Sequence, residues 1–424
     1  MGQRQSRSPR RHTRARGKES GRGDAKRILA KLLADTRRHA RGMAADDVLS
    51  AEIGAAAFLS LFHPTELGSE DALDALAGEI IPALGATNEP DVLALLIAAA
   101  AIGEDRAAQL ASDAARRLRA ASTPEPIWAR TVGRPAFVDA WIMTDELEDQ
   151  SNLVMSFAYG GQEPHTIVAM IDANFWGMVR MASVAGAPEP VLKVWREAAG
   201  LDAVRISAQD LADRLARGLT AIDETLDPPV DDDALLLIPL LRSRLRLLPK
   251  ARQIDPPYVT QRARDLLLRE FAASPEAAAL GRIGRSRAAN VASWFIDFAC
   301  DHGAGDPVRW SPIATEILLL DWLPRKVMLE PDEVPRVPDV LRAFVRFAGR
   351  QKGLPESLVG ETVAAIDGFE PDYLAAMADA DRGGPASEIV TAMLRDGVDL
   401  HDPAAVQRWI AGYNAGLLGP GRTN

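Results

Sequence analysis

Apolar residues recur at helical spacing through most of this chain. Ile28, Leu29, Leu32 and Leu33 share one face of a short amphipathic helix that ends near Gly42. Val48, Leu49, Ile53 and Ala57 mark a second helix, which stops before Pro64. Ser69, followed by Glu70 and Asp71, opens the next, because acids complement the positive end of a helix. Asn88, Pro90 and Asp91 open another: a capping oxygen, a proline with no N–H to lose, and an acid. A further helix covers 104–121. The spacing drifts from one helix to the next, so the pattern does not amount to a helical repeat.

Between 132 and 206 the period changes. Leu153–Tyr159 (LVMSFAY) and His165–Ile171 (HTIVAMI) are β-type runs placed about Gly160-Gly161, a pair that accepts positive φ. Phe137–Thr144 (FVDAWIMT) predicts a third strand and Val204–Ile206 a short fourth. Ser207 and Asp210 then form an approximate capping box for a helix over 208–224.

Asp227-Pro228-Pro229 and Asp231–Asp233 mark a boundary, and beyond it the pattern is helical again. Leu235–Leu248 predicts a helix that Pro239 should kink or shorten. Further helices are predicted from Tyr258, from Ser274-Pro275, over Ile313–Leu323 up to Pro324, and over Val337–Gly349. Glu356–Asp367, Pro371–Ala380, Ser387–Arg395 and Pro403–Gly412 complete the set. The expected fold is α+β, mainly α, with helical N-terminal and C-terminal regions flanking a small antiparallel sheet of three to four strands. The expected divisions are a disordered basic arm over 1–22, a helical region over 23–130, a small α+β region over 131–230 with its hairpin at 152–172, and a helical region over 231–424.

Composition agrees with a globular chain: 47% of the 424 residues are hydrophobic and 25% charged, enough apolar material for a core. Charge adds more. Residues 1–42 carry 14 Lys and Arg against 3 acids, a net of +11, so 43–424 must carry −21 of the total −10. Residues 1–22 hold Arg4, Arg7, Arg10, Arg11, Arg14, Arg16, Lys18 and Arg22 and no branched aliphatic residue. Such a segment cannot bury enough apolar surface to offset its ordering. Arginines of this kind neutralise phosphates and release counterions, which gives nonspecific nucleic-acid binding; with no interleaved aromatics, base stacking is not expected.

The body is itself divided. Residues 43–150 have 19 acids against 6 bases, a net of −13, whereas 242–287 has 11 bases against 4 acids, a net of +7. Arg242 and Arg246 are four apart and share a helix face; Arg244 points elsewhere. The leading expectation is that the basic block docks on the acidic one. The alternative is an open anion-binding or nucleic-acid-binding groove that uses Arg242 and Arg246.

Cys300 is the single cysteine, so no disulfide can form within the chain, which fits a cytoplasmic location. The longest uncharged apolar run, Val92–Gly103, falls short of the roughly 20 residues a bilayer span needs. No secretory signal is expected, and no membrane partner. Met1–Ser6 matches an N-myristoylation pattern, but heavy Ala, Arg, Gly and Asp usage resembles GC-rich bacterial coding, where that modification is not expected.

Candidate chemistry is sparse. The six histidines and Cys300 show no metal-ligand spacing. Motifs for nucleotide binding, zincin chemistry and the esterase elbow are missing, and no cofactor is implied. Asp145, Glu146, Glu148 and Asp149 in the turn before the hairpin, with Asp172 and Asn174 after it, offer oxygen ligands for Mg²⁺ or Ca²⁺ if the strands bring them together, Asp145, Glu148, Asp172 and Asn174 above all. His165 could serve such a metal-assisted hydrolase as a base, but it lies seven residues from Asp172 on one strand, on the opposite face and about 23 Å away. Trp294, Phe295, Phe298, Trp310, Trp322, Phe344 and Phe347 have the spacing of core packing.

One resemblance adds to this. Arg309–Lys326 (RWSPIATEILLLDWLPRK) and Asp396–Leu400 (DGVDL) resemble segments that recur in uncharacterised bacterial proteins, over the last third of the chain. The resemblance implies no activity and no functional residues. The sequence therefore favours an interaction or scaffold protein, with a protein partner of unspecified kind and nonspecific nucleic-acid contact through residues 1–22. The alternative is a hydrolase with an oxygen-ligand metal site at the sheet end.

Overall fold

The structure, a computed structural model, describes residues 27–62, 70–104, 106–225, 227–252, 259–281, 283–327, 329–379, 392–393, 395–398 and 403–414. It is mainly helical, with one antiparallel sheet, the α+β class read from the sequence. Its contacts divide it into two compact units. Unit 1 covers the described residues of Met1–Thr144, Gln150–Asp172 and Gly177–Ile254. Unit 2 covers those of Asp145–Asp149, Ala173–Trp176 and Asp255–Asn424. The basic segment 1–22 and the predicted helix over 387–395 lie outside the described residues, apart from 392–393 and 395 in the latter.

Unit 1 begins with α1 (27–39), α2 (Val48–Ser60), α3 (Glu70–Leu84), α4 (Pro90–Ile102) and α5 (Arg106–Ala120). Helix α4 is apolar all round, and such a helix must be buried. It packs among α2, α5 and α8 (Asp232–Leu245), and Val92–Ala99 is buried throughout. No helix among the described residues is long and apolar enough to cross a membrane. Pro90 takes the first turn of α4 as expected, but Asn88 is not its cap. Glu89 holds that position, and Asn88 adopts φ 53°, a conformation that asparagine tolerates better than most residues. Asp91 accepts from the backbone N–H groups of Gly42 and Ala44 at 2.9 and 3.2 Å.

The sheet has five strands in the order β4-β3-β2-β1-β5: β1 (Ala136–Thr144), β2 (Gln150–Ala158), β3 (His165–Asp172), β4 (Met178–Ala185) and β5 (Val204–Arg205). That is one strand more than the three to four expected. The extra one, β4, is an edge strand whose MVRMASVA sequence carries little β-branched signal. Strands β2 and β3 are buried along nearly their whole length, which is why both read as continuous apolar runs. They pair from Gln150↔Asp172 to Phe157↔His165, and the turn beyond uses Gly160 and Gly161 at φ 46° and 88°.

Helix α6 (Pro188–Ala199) covers one sheet face, where Met143, Val154 and Val168 pack with Leu192 and Trp195. Helices α7 (Ala208–Glu224) and α8 lie against β4. Ser207 caps α7, accepting from the Asp210 N–H at 3.1 Å, and its hydroxyl donates to the Asp210 carboxylate at 2.7 Å, so the two residues pair as the approximate capping box suggests. A Cβ on Gly218 would fall 2.9 Å from the Gly177 carbonyl, so this glycine sets how closely α7 approaches β4. Pro239 lies inside α8 without ending it.

Unit 2 contains α9 (Gln261–Ala273), α10 (Pro275–Ala279), α11 (Arg285–Asp301), α12 (Pro312–Glu316), α13 (Leu323–Lys326), α14 (Val337–Lys352), α15 (Glu356–Ala378) and α16 (Pro403–Asn414). A π-helical turn, Ile317–Trp322, joins α12 to α13. Glu356–Asp367 and Pro371–Ala380, expected as two helices, form one helix with Pro371 inside it. Phe295, Phe298, Trp310, Trp322, Phe344 and Phe347 all enter the unit 2 core, whereas Trp294 is 36% exposed. Ring pairs such as Phe295–Phe344 and Trp310–Phe344, both 5.9 Å between centroids, hold α11, the segment before α12, and α14 together.

Candidate functional site

The polar groups of unit 1 converge on a charge pair sealed in its core. Glu52 is the one acid in α2, VLSAEIGAAAFLS, and Arg244 lies near the end of the apolar α8. Both side chains are fully buried, and Arg244 Nη2 donates to Glu52 Oε2 at 2.5 Å. The same nitrogen reaches the Tyr159 hydroxyl at 2.9 Å, and Nη1 donates to Ser243 Oγ at 3.1 Å. The backbone N–H of Gly133 donates to Glu52 Oε1 at 2.6 Å. The guanidinium carbon stands 5.5 Å from the Phe157 ring centre and 6.0 Å from that of Tyr159. The two charges are paired and multiply hydrogen-bonded, as charges in an apolar core need to be, and Arg244 Nε is the one guanidinium nitrogen there without a hydrogen-bond partner.

His165 packs on the same two rings, at 5.4 Å from Tyr159 and 6.3 Å from Phe157. It is 6% exposed, and its buried Nε2 has no hydrogen-bond partner. Burial, reinforced by the nearby Arg244 charge, pushes the imidazole down to about 4. Burial likewise pushes the Tyr159 hydroxyl far above its usual range. Strand β3 runs unbroken from His165 to Asp172, which keeps the two at opposite ends.

Of the sequence-predicted oxygen ligands, Asp172, Glu148 and Asn174 each meet a cation of their own unit, and Asp145 meets backbone N–H groups. In unit 1, Asp172 is 2% exposed and Arg180 Nη1 donates to it at 3.2 Å. In unit 2, Asp145 Oδ1 accepts from the backbone N–H of Leu147 and of Asp149, both at 3.0 Å. Glu148 meets Lys352 at 3.1 Å, and Lys352 also meets Asp306 at 3.1 Å. Asn174 joins a buried quartet with Asp149, Arg309 and Ser311. Asp149 Oδ1 accepts from Arg309 Nη1 at 2.7 Å, Ser311 Oγ at 2.6 Å and Asn174 Nδ2 at 2.9 Å. Arg309 donates in turn to Asn174 Oδ1 and to the Leu147 carbonyl. Among the described residues, no group of three or more His, Cys, Asp or Glu side chains is gathered as metal ligands.

The basic block resolves into individual partners. Arg244 pairs with Glu52 and Arg246 with Glu104, at 2.7 Å for the latter, so two of its arginines meet the acidic block 43–150. Four more pair elsewhere: Arg242 with Asp223, Arg252 with Asp213, Arg264 with Asp297 and Asp301, and Arg287 with Asp332. Arg242 and Arg246, with Lys250, Glu104 and Leu248, line a surface groove of about 340 Å³ at the C-terminal end of α8. In unit 2, a groove of about 820 Å³ between α10 and α14 has an apolar floor of Leu280, Ile283 and Ala343. Arg342 on its wall is held by Asp339, Asp367 and Glu370.

No family model, no curated protein and no solved structure matches this chain. The likeness of Arg309–Lys326 to a recurring bacterial segment thus brings no function with it. Within the chain, that segment supplies Arg309 and Ser311 to the buried quartet and Trp310 and Trp322 to the core.

The Glu52–Arg244 pair escaped the sequence reading because its members are 192 residues apart. The available signal was a lone acid on an apolar helix, and a lone arginine off the face shared by Arg242 and Arg246. The pairing of Arg309 with Asp149 escaped for the same reason, at 160 residues.

Proposed function

We propose that this chain is an interaction protein that contacts nucleic acid through its basic residues 1–22 and carries out no chemical step of its own. The observation that carries the reading is charge segregation: eight bases against one acid over 1–22, a net of +7, ahead of a strongly acidic body. A polyanion is the partner class such an arm fits, because each phosphate it neutralises releases counterions. The acidic body opposes nonspecific association over the rest of the surface.

The side-chain pairing supports the second half of the reading. Asp172, Glu148 and Asn174 already face Arg180, Lys352 and Arg309. A metal ion would have to displace a guanidinium or an ammonium at each of them. Arg242, Arg246 and Lys250 at the α8 groove are a secondary contact in this reading, weakened by Asp223 and Glu104 beside them. The test is the affinity of the full chain for duplex DNA at two salt concentrations, with and without residues 1–22. Co-purification with and without nuclease separates a nucleic-acid partner from a protein partner: loss of the captured material on nuclease treatment supports the reading, and its survival opposes it.

A further inference from the structure

We propose that His165 is an acid-sensitive latch: while neutral it stays stacked on Tyr159 and Phe157, the two rings that meet Arg244, and its protonation opens that end of the β2–β3 hairpin. The geometry makes the charge state decisive. The ring lies nearly flat on Tyr159, with 17° between the planes, and stands opposite Phe157 across the β2–β3 ladder. Its Nε2 faces no acceptor, so a proton placed there finds no hydrogen-bond partner in the closed state. Among the described residues, the charged groups around it are few. Helix α8 contributes Arg244, with Glu52 of α2 as its partner, the capping residue of α2 contributes Asp47, and the turn after β2 contributes the neutral Tyr159. Glu52 already accepts from Arg244 and from Gly133, so Asp47 is left to offset a second cation beside Arg244, and burial and the Arg244 charge outweigh it.

The sign follows from linkage. The closed state holds the imidazole at about 4, against an ordinary 6.5 once the hairpin opens. The open state therefore takes the proton first as pH falls. Closure is fully favoured above about 6.5 and is lost progressively between 6.5 and about 4. With those two values, the opening equilibrium rises about thirtyfold from pH 7.5 to pH 5.

The experiment is backbone hydrogen exchange on the full chain at pH 7.5 and pH 5, corrected for intrinsic rates and read at the β2–β3 ladder. Wild type should show about a thirtyfold rise in opening at pH 5, and His165→Phe, which keeps an aromatic ring but cannot titrate, less than a fivefold rise. A rise of the same size in His165→Phe, or none in wild type, overturns the latch. If that variant does not fold, His165→Leu takes its place. NMR titration of the His165 ring in wild type decides independently: a midpoint below 5 supports the latch and one near 6.5 overturns it.

Discussion

Removal of Arg244 tests the energetics of unit 1 most sharply. Arg244→Met keeps the length and apolar contacts of the side chain but deletes the cation. Glu52 is then left fully buried, with the Gly133 N–H at 2.6 Å and the Tyr159 hydroxyl as neutral hydrogen-bond partners and no cation. Breaking a buried pair from one side costs about 3–5 kcal/mol, because the orphaned charge loses its counterion without regaining water. That is a large fraction of the roughly 5–15 kcal/mol by which domains are stable. Glu52→Gln is milder: the amide oxygen still accepts from Gly133, and the guanidinium keeps Tyr159 and Ser243. The double variant Glu52→Gln/Arg244→Met buries no net charge and should recover much of the loss, since neutral replacement of a buried pair is often nearly isoenergetic. We expect a coupling energy of at least about 2 kcal/mol between the two sites. The assay is urea unfolding of all four proteins, followed by hydrogen exchange at unit 1 amides so that the two units are read separately. A loss below about 1 kcal/mol for Arg244→Met, or additive losses in the double variant, would refute the buried-pair account.

Two further outcomes follow from the geometry. Arg309→Leu leaves Asp149 buried with only Ser311 and Asn174 as side-chain donors, so unit 2 should lose about 3 kcal/mol, and adding Asp149→Asn should restore part of it; thermal unfolding of the single and double variants checks this. Burial pushes the Cys300 thiol up to about 11, so at pH 8 the folded chain should react with a thiol reagent about a hundredfold more slowly than the unfolded chain, and comparable rates would contradict that burial.

Much of the architecture was legible because local chemistry and tertiary context agree. Ser207, Ser274 and Ser311 all cap helices with their side-chain oxygens, as their positions before Asp, Pro and Pro suggest. The glycine pair at 160–161 turns the hairpin. Where the reading failed, tertiary packing overrode local pattern. β4 is a strand because β3 supplies its partner and α7 and α8 cover it, although MVRMASVA has no clear alternation. Pro371 sits within one helix although it removes an N–H. The flanking turns are held by packing on α14, where Arg342 grips Asp367 and Glu370. The candidate site was the least legible part. Oxygen-bearing residues near each other in sequence suggested a metal cluster, and the fold sets Asp172, Glu148 and Asn174 against Arg180, Lys352 and Arg309, which lie 8, 204 and 135 residues from them. Periodicity carries no information on contacts at the longer of those separations.

The claim of nucleic-acid contact through residues 1–22 stands or falls on one titration. Duplex-DNA affinity is measured at 50 and 200 mM salt for the full chain and for the chain lacking 1–22. Neutralisation of about four or more phosphates by the eight bases gives a log–log slope near −4 or steeper, so affinity should fall at least about a hundredfold across that range, and the truncated chain should bind far more weakly at 50 mM. Equal affinity for the two proteins, no binding by either, or binding without salt dependence would contradict it.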